Sequence, residues 1–442
     1  MASNRLRDLD IANSLHPYTQ LRRHEEQGPL IVTGGDGVHV TDESGRRYLD
    51  AMAGLWCASL GFSEPRLAAA AERQMKRLGF YHQFSHKAHD VGIELAAKLI
   101  ELAPVKMSKV LFANSGSESN DTAVKLIWYV NNALGRPDKK KIIARKQAYH
   151  GVTIASASMT QLPVNNRDFD LPLERFLHVT CPHAYRQAKP GEDACAFSDR
   201  LARELEELIL EEGPDTVAAF FAEPVMGAGG VIIPPQGYFP KIQEVCRRYD
   251  VLTVADEVIC GFFRTGRRWG SETFDYQPDM LTCAKAMSAG FLPISALMLS
   301  DRIYQIIADN SAKIGSFGHG YTYSGHPVPA AVALETLAIY EERDIAAQVA
   351  KTAPVMQAHL AAFKTHPLVG EVRGVGLIGA LELKEQGSAV KVVEAMQRHG
   401  VIGRAMLNDS LAFSPPLIIS EGELRELFGV LRLALDEVAA AI

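Results

Sequence analysis

The chain has 442 residues, 47% of them hydrophobic, which allows about two or three domains and a large buried core. Its formal net charge is -6 and its only basic run is the short stretch 139–141, so a nucleic-acid-binding protein is not expected. The sequence contains no membrane-spanning apolar stretch and its N-terminus lacks the apolar segment of a secretory signal, which predicts a globular cytoplasmic protein.

The six cysteines show no CxxC spacing of the kind found in metal-binding or redox motifs. Several of them lie inside apolar runs, which is typical of buried free thiols. We therefore expect no disulfide and no metal site at these positions, which are Cys57, Cys181, Cys195, Cys246, Cys260 and Cys283.

The first predicted element with a clear pattern is a β-hairpin over residues 30–50. Hydrophobic and polar residues alternate there, as in a half-buried strand pair. Turn residues occur at Gly34 and Gly35 and again at Ser44 and Gly45.

Between about residue 108 and residue 300, short β-branched runs alternate with longer helical segments. Three of these segments repeat apolar residues at i, i+3 and i+4 and predict helices: SESNDTAVKLIWYVNNALG, SDRLARELEELILEEG and GYFPKIQEVCRRYD. The alternation indicates an α/β fold in which helices cover both faces of a mostly parallel sheet. Strands are predicted in KVLFANSG, KKIIARKQAYHG, TVAAFFAEP, DVLTVADEV, DMLTCAKAM and PISALMLS.

The C-terminal part follows a different pattern. After about residue 326, a long helical stretch leads to a strand in LIGALELK and to a final helix from ELRELF onward. A GxGxxG sequence at 374–379 runs into that strand and not into a helix, so it does not predict a dinucleotide site. We expect the chain ends, 1–59 and 326–442, to form a small α+β domain beside a large domain of residues 60–325. The polar stretch 182–193 predicts an exposed loop.

Polar residues follow several predicted strands, at the edge where α/β proteins bind ligands. Ser115, Gly116 and Ser117 stand where a strand gives way to a helix, so that backbone N–H groups and two hydroxyls could surround a phosphate. A simple helix N-cap explains the same residues equally well.

A carboxylate and an amine end two other predicted strands. Asp256 and Glu257 follow an apolar strand, where a buried Asp could hold a pyridinium nitrogen, although a loop residue or helix cap is the alternative. Lys285 ends a second apolar strand, and burial would lower the pKa of its amine, as Schiff-base chemistry requires. An exposed lysine with a buried stem is the alternative for this residue.

An aromatic residue at a further strand end completes the set. Tyr149, followed by His150 and Gly151, could stack on a flat ligand, and core packing is the alternative. A phosphate site, an aromatic ring, a carboxylate and a nucleophilic amine together indicate pyridoxal phosphate as the ligand.

These motifs resemble those of the class III aminotransferases, which are pyridoxal phosphate enzymes of fold type I. The spacing of 29 residues between Asp256 and Lys285 is typical of the group. The resemblance implies a large domain with a mostly parallel seven-stranded sheet flanked by helices, plus a smaller α+β domain from both chain ends. The matching stretches extend from HPYTQ near residue 16 to SPPLIIS near residue 414 and include NSGSES, YHG, AEPVMGAGG, ADEVICGFFRTG, AKAMSAGFLPISA and TYSGHP.

The resemblance also implies a role for each matching residue. Lys285 would carry the cofactor as a Schiff base and transfer the proton during catalysis. Asp256 would pair with the pyridine nitrogen, and Val258 and Tyr149 would cover the two faces of the ring. The cofactor-binding set implied by the resemblance is Ser115, Gly116, Ser117, Tyr149, His150, Glu223, Asp256, Val258, Lys285 and, from a second copy of the chain, Thr322.

The stretches GLWCASLGF and VIGRAM resemble the branch that acts on amines or ω-amino acids with pyruvate. In that branch Trp56 would line the substrate pocket, together with Tyr149 and the further candidates Tyr18 and Phe84. Arg404 would bind a substrate carboxylate and move aside for simple amines. A salt bridge at the domain interface is the alternative for this arginine.

The activity implied is a ping-pong transfer through pyridoxamine phosphate, from an ω-amino acid or primary amine to pyruvate. The alternatives are another class III enzyme, such as a 2-oxoglutarate-dependent aminotransferase, an aminomutase or a decarboxylase, and a non-catalytic protein that kept the fold. The resemblance implies a homodimer, with a tetramer as the alternative, because Thr322 would complete the partner's phosphate site.

Overall fold

The structure is a computed structural model, and it describes residues 2–441. Its N-terminal part contains three antiparallel strands. The predicted turn at Ser44 and Gly45 is confirmed, whereas Gly34 and Gly35 belong to the first strand and the turn follows at Gly37, which has a positive φ of 53°. The elements are α1 (Ala2–Asn13), α2 (Leu21–Gln27), β1 (Val32–Asp36), β2 (His39–Asp42), β3 (Arg47–Asp50), α3 (Ala53–Trp56), α4 (Pro65–Arg77) and α5 (Asp90–Leu102).

The middle of the chain alternates strands and helices as predicted. All six predicted strands are present, and the sequence analysis missed one, β6. The elements are β4 (Lys109–Ala113), α6 (Gly116–Ala133), β5 (Lys141–Arg145), α7 (Ile154–Met159), α8 (Pro163–Asn166), β6 (Phe176–Val179), α9 (Ala184–Gln187), α10 (Ala194–Glu212), β7 (Val217–Ala222), α11 (Tyr238–Arg248), β8 (Leu252–Asp256), α12 (Gly270–Thr273), β9 (Met280–Cys283), β10 (Ser295–Leu299) and α13 (Asp301–Ile314).

These seven strands form one sheet in the order β4-β10-β9-β8-β7-β5-β6. Only β10 runs antiparallel to its neighbours. The strands β7 to β10 are buried along their whole length, which explains their mostly apolar sequences. Because the carboxyl ends of the parallel strands meet at one edge, the residues that follow β5, β7, β8 and β9 lie side by side.

The C-terminal part begins with two helices where one long helical stretch was predicted. The break lies at Asp344, which has a positive φ of 46° and accepts a hydrogen bond from the N–H of Ala347 at 3.1 Å, so that it caps the second helix. The elements are α14 (Pro327–Glu342), α15 (Ile345–Ala361), β11 (Val369–Val375), β12 (Ile378–Leu383), α16 (Ser388–Arg398), β13 (Val401–Ile402), β14 (Arg404–Met406), β15 (Ser410–Phe413) and α17 (Glu421–Ala440).

The GxGxxG sequence forms a hairpin. Gly374 in β11 pairs with Gly379 in β12, and the two strands are antiparallel. This confirms that the sequence does not open a helix and therefore does not form a dinucleotide-binding turn.

The two chain ends pack together. Strand β13 pairs in parallel with β3 and extends the N-terminal sheet to the order β1-β2-β3-β13, and the N–H of Ala51 donates to the carbonyl of Ile402 at 2.9 Å. The helix α14, assigned to the small domain from the sequence, also packs on α4 and α5 of the large one. The proposed boundaries at residues 59 and 326 therefore remain a prediction.

All six cysteines are free thiols. Four of them are buried as expected, Cys57 is partly exposed, and Cys195 near the start of α10 is exposed, so the expectation of burial is wrong for that residue. The predicted loop 182–193 is mostly exposed, although it contains the short helix α9 and the buried His183. Within residues 2–441, no helix combines the length and the apolar character needed to cross a membrane.

Candidate active site

A cavity of about 370 Å³ lies at the carboxyl edge of the large sheet. The predicted cofactor residues, apart from Thr322, line it together. Thr322 is exposed and does not line this cavity in the described chain. The lining includes Ser115, Gly116, Ser117, Tyr149, His150, Glu223, Asp256, Val258 and Lys285.

Asp256 is the last residue of β8, and its carboxylate is almost completely buried at the cavity wall. Its Oδ2 atom accepts hydrogen bonds from Asn120 Nδ2 and from His150 Nδ1, both at 2.8 Å. Its Oδ1 atom accepts from the N–H of Val258 at 3.1 Å. Three donors from three segments therefore fix the orientation of this carboxylate.

The neighbouring Glu257 has a different role. Its carboxylate accepts the N–H groups of Gly270 at 2.9 Å and of Ser271 at 2.6 Å, at the start of α12. Burial raises the pKa of Glu257 to about 7. Of the two adjacent acids singled out in the sequence, only Asp256 faces the cavity, because side chains alternate at a strand end.

Glu223 follows β7 and supports the aromatic residue of the site. Its carboxylate accepts the N–H of Tyr149 at 3.1 Å and the N–H of Gly227 at 3.2 Å. Burial raises the pKa of Glu223 to about 7, while the nearby His150 and Arg145 act in the opposite direction. The resulting contact fixes the backbone from which the Tyr149 ring enters the cavity.

Lys285 follows β9 and opens a 3₁₀ turn over residues 285–288. Its backbone has a positive φ of 47°, which is uncommon for a residue other than glycine and is often found at functional sites. Its Nζ atom lies 5.7 Å from the centre of the Trp56 ring. Burial lowers the pKa of the Lys285 amine, which increases the fraction of the uncharged nucleophile.

The start of α6 forms one wall of the cavity. Ser115 caps the helix, because its hydroxyl accepts the N–H of Glu118 at 3.2 Å. Gly116 is packed so closely against Val258 that an added Cβ would lie 3.0 Å from a Val258 methyl carbon. Ser115 thus has the N-cap role that the sequence offered as an alternative, and the free N–H groups at the start of this 18-residue helix lie at the same cavity.

Gly151 closes the opposite side of this wall. It has a φ of 137°, and a Cβ at this position would lie 2.5 Å from the hydroxyl oxygen of Ser117. Ser117 itself accepts a hydrogen bond from the N–H of Val152 at 3.2 Å. The close approach of these two loops requires glycine and leaves a concave polar surface next to the helix N-terminus.

A second cavity of about 650 Å³ joins the first, with Tyr149, Ile259 and Lys285 in the lining of both. Trp56, Tyr18 and Arg404 also line it. The Tyr18 hydroxyl accepts a hydrogen bond from Asn165 Nδ2 at 2.6 Å. Phe84 lines neither cavity in the described chain and instead packs beside Gly320.

Arg404 lies in β14, and its guanidinium carbon lies 5.1 Å from the centre of the Trp56 ring. No carboxylate of the described residues is within ion-pair distance of Arg404. The alternative of a domain-interface salt bridge is therefore wrong, and a partly buried cation faces the second cavity without a charged partner.

Sequence reasoning missed Asn120. This residue lies in α6, donates to Asp256, and accepts a hydrogen bond from the hydroxyl of Thr282 at 3.0 Å. One signal was available: Asn120 lies four residues after Gly116 and so on the same face of the helix.

Comparisons with known proteins identify the family of this chain. Residues 21–435 match the family model of the class-III aminotransferases. The chain belongs to this family. It is therefore a pyridoxal-phosphate-dependent aminotransferase, as the resemblance in the sequence implied.

Curated relatives of this aminotransferase cover almost the whole chain. A chloroplastic γ-aminobutyrate transaminase 3 of Solanum lycopersicum is 49% identical over 425 residues, which are 93% of this chain and 82% of the relative. The vanillin aminotransferase of Capsicum chinense is 47% identical over 421 residues, or 92% of each protein.

Solved structures show the same fold. An ω-transaminase from Pseudomonas jessenii in complex with PMP superposes with a TM-score of 0.98 at 52% identity and covers 99% of each chain. A transaminase solved with L-ala has a TM-score of 0.92 at 55% identity and covers 93% of this chain and 100% of its own. The prediction of a fold type I aminotransferase is confirmed.

The cavity of this chain fits pyridoxal 5'-phosphate, the cofactor of the family. It combines an oriented carboxylate at Asp256, a buried amine at Lys285 and a helix N-terminus that begins with the closely packed Gly116. These groups suit the ring nitrogen, the aldehyde and the phosphate respectively.

The expectation of a cytoplasmic protein is contradicted by the relatives. Several of them, from Solanum lycopersicum and Oryza sativa, are chloroplastic or mitochondrial γ-aminobutyrate transaminases. The expectation was drawn from the lack of an apolar secretory segment, and that feature does not specify a compartment.

Proposed function

We propose that this aminotransferase moves an amino group from an ω-amino acid or primary amine to pyruvate. The observation that carries the proposal is the unpaired guanidinium of Arg404, which faces the cavity next to Lys285. The relatives named as γ-aminobutyrate transaminases support an ω-amino acid as donor. The similar transaminase solved with L-ala supports the alanine–pyruvate pair, because alanine is the product of pyruvate amination.

The residues of this chain have distinct tasks in that reaction. Pyridoxal phosphate, when bound, supplies an aldehyde and an electron-accepting ring. Lys285 would hold the aldehyde carbon covalently and, once displaced by the donor amine, move a proton to and from the substrate carbon. Asp256, held by Asn120 and His150, would keep the ring nitrogen protonated. Val258 and Tyr149 would hold the ring between them.

The phosphate end of the site involves the start of α6. Ser115, Gly116 and Ser117 would bind the phosphate through the helix N–H groups and the hydroxyls. We propose that Thr322 of a second copy completes this site, since Thr322 is exposed in the single chain. The working unit would then be a homodimer.

The substrate end of the site combines apolar walls with one cation. Trp56 and Tyr149 would contact the carbon chain of the donor and exclude water. Arg404 would bind the carboxylate of pyruvate or of an ω-amino acid, and a charge-assisted pair of this kind is among the stronger polar contacts. Tyr18 lies at the same cavity, and we propose that Phe84 contributes to the site of a second copy.

A second candidate acceptor is 2-oxoglutarate. The sequence offered no second arginine for its distal carboxylate, but the structure places the exposed Arg167 in the lining of the larger cavity. A dicarboxylate could contact Arg404 and Arg167 at once.

A panel of substrates tests the proposal. The purified holoenzyme is given γ-aminobutyrate, β-alanine or an arylalkyl amine, each with pyruvate and with 2-oxoglutarate. We expect pyruvate to be preferred by at least about 10-fold in kcat/KM, which corresponds to one good polar contact, and parallel double-reciprocal lines for a ping-pong reaction. Preference for 2-oxoglutarate would show the second candidate to be correct, and intersecting lines would contradict the ping-pong mechanism.

A further inference from the structure

Three side chains near the N-terminus lie together outside the active site. His16 Nε2 lies 2.9 Å from each carboxylate oxygen of Asp10, and His24 Nε2 lies 2.9 Å from Asp10 Oδ2. The two imidazole rings are 4.1 Å apart between their centres. The cluster connects α1, the loop that follows it and α2.

We propose that Asp10, His16 and His24 bind a divalent late transition metal such as Zn²⁺, and that the bound metal fixes the loop 14–20 beside the substrate cavity. Two imidazoles and one carboxylate are a ligand set that these cations favour over Mg²⁺ and Ca²⁺. The three ligand atoms lie within 4.8 Å of one another. Metal bonds of about 2 Å would place them roughly 3.3 Å apart in a tetrahedral site, so only small side-chain movements are required.

The protonation of the cluster is compatible with coordination. Each ring must carry its proton on Nδ1 so that the Nε2 lone pair is free. Neither Nδ1 atom makes a hydrogen bond to another described residue, so both are available to hold that proton. Without a metal, a proton on Nε2 lies in each contact with the Asp10 carboxylate, and a bound metal would displace those protons. The Asp10 and His16 side chains are partly exposed, so water can complete the coordination.

A second cluster with a similar composition is less suited to a metal than the N-terminal one. His183, Glu371 and Glu382 also lie within metal-ligand distance of one another. Their carboxylates, however, are bound by two arginines: Glu382 accepts from Arg373 at 2.9 Å and from Arg186 at 2.5 Å. Guanidinium groups at those oxygens compete with a cation and repel it, and the N-terminal cluster contains no such group.

A metal bound at this cluster would affect the active site, because the cluster lies next to a loop that lines the substrate cavity. Tyr18 follows His16 by two residues, has a positive φ of 53°, and lines the cavity that contains Trp56 and Arg404. A metal that joins α1 to α2 would limit the conformations of the intervening loop. The hydrogen bond between Tyr18 and Asn165 would then persist for longer.

Calorimetric titration of the tag-free holoenzyme with zinc chloride tests the site. We expect one Zn²⁺ per chain, with affinity reduced at least about 10-fold in His16→Gln and in His24→Gln. The control is His399→Gln, because His399 forms an exposed pair with Glu437 at 3.1 Å and has no second imidazole beside it. Absence of zinc binding, or binding that survives both substitutions, would overturn the proposal.

Hydrogen exchange of the backbone tests the effect on the loop, and its main comparison is made in the unmodified protein with and without zinc. We expect zinc to slow exchange across residues 14–20 several-fold in the unmodified protein, and Asp10→Asn to remove that effect. Zinc that binds without slowing this exchange would show that the metal does not fix the loop.

Discussion

The role that we propose for Arg404 would let one side chain determine which donors this aminotransferase accepts. Its guanidinium has no carboxylate partner in the described chain and lies over the Trp56 ring, so a substrate carboxylate would be its first charged partner. A charge-assisted hydrogen bond of this kind contributes about 1.5–3 kcal/mol. The same contact is not available to an arylalkyl amine, which has no carboxylate.

We therefore predict that Arg404→Leu raises the KM for γ-aminobutyrate by about 10- to 100-fold, as that energy implies. The KM for an arylalkyl amine should change much less, because Leu preserves an apolar contact with Trp56. Initial rates at varied donor concentration measure both values, and Arg203→Leu on the exposed surface of α10 is the control. Equal effects on the two donors would contradict the role proposed for Arg404.

The charged residues at the ends of predicted strands were the easiest site residues to predict from the sequence. Asp256 and Lys285 each end an apolar strand, and in a parallel sheet such strand ends must meet at one edge. Asn120 was missed because the role of a buried polar residue inside a helix depends on the residue that it contacts, which is here the Asp256 carboxylate. The surroundings of Arg404 could not be predicted either, because only the folded structure shows that no carboxylate of the described residues lies near its guanidinium.

At the level of elements, the attachment of α12 depends on Glu257. The carboxylate binds the first N–H groups of the helix, and burial raises its pKa to about 7, above the ordinary value of 4.5. Between pH 4.5 and pH 7 the folded state then holds a proton that the unfolded state has released. Stability from this group is therefore complete below pH 4.5 and is lost as the pH rises through 7.

We predict that Glu257→Gln removes this part of the pH dependence. In the unmodified protein the group contributes a fall in the free energy of unfolding of up to about 1.4 kcal/mol for each pH unit of that window. Relative to the unmodified protein, the variant should therefore lose most stability at low pH. This loss in the free energy of unfolding should become smaller as the pH rises. Urea unfolding at several pH values measures the difference, with Glu207→Gln on the exposed side of α10 as the control. A difference in the free energy of unfolding that stays constant between pH 4.5 and pH 7 would contradict the raised pKa of Glu257.

Prediction of the elements succeeded where burial alone determines the sequence. The strands β7 to β10 are mostly apolar because they are covered on both faces. The edge strand β6 was missed because it is short and contains the partly buried polar residue His178. The break between α14 and α15 was missed because Asp344 adopts the left-handed conformation without being glycine.

At the level of the whole molecule, one chain does not contain every predicted cofactor residue in one place. Thr322 is exposed, and it lies next to an exposed aromatic group in which the Phe80 and Tyr323 rings are 5.7 Å apart. Exposed apolar surface of this kind is typical of a protein interface. A second copy that covered it would bring its own phosphate site to Thr322, as the homodimer proposal requires.

Mixing two inactive variants tests whether the site is shared between copies. Lys285→Ala removes the amine, and Thr322→Glu would place a negative charge at the phosphate of the partner's site, so we expect each variant alone to have little activity. In a mixed dimer, the site with an intact Lys285 would receive the intact Thr322 of the other copy, so one site of the two would be restored. Equal mixing with subunit exchange would then recover about a quarter of the unmodified activity, since half of the dimers are mixed. If Thr322 acted within its own chain, both sites of a mixed dimer would stay defective, and the same mixture would recover nothing.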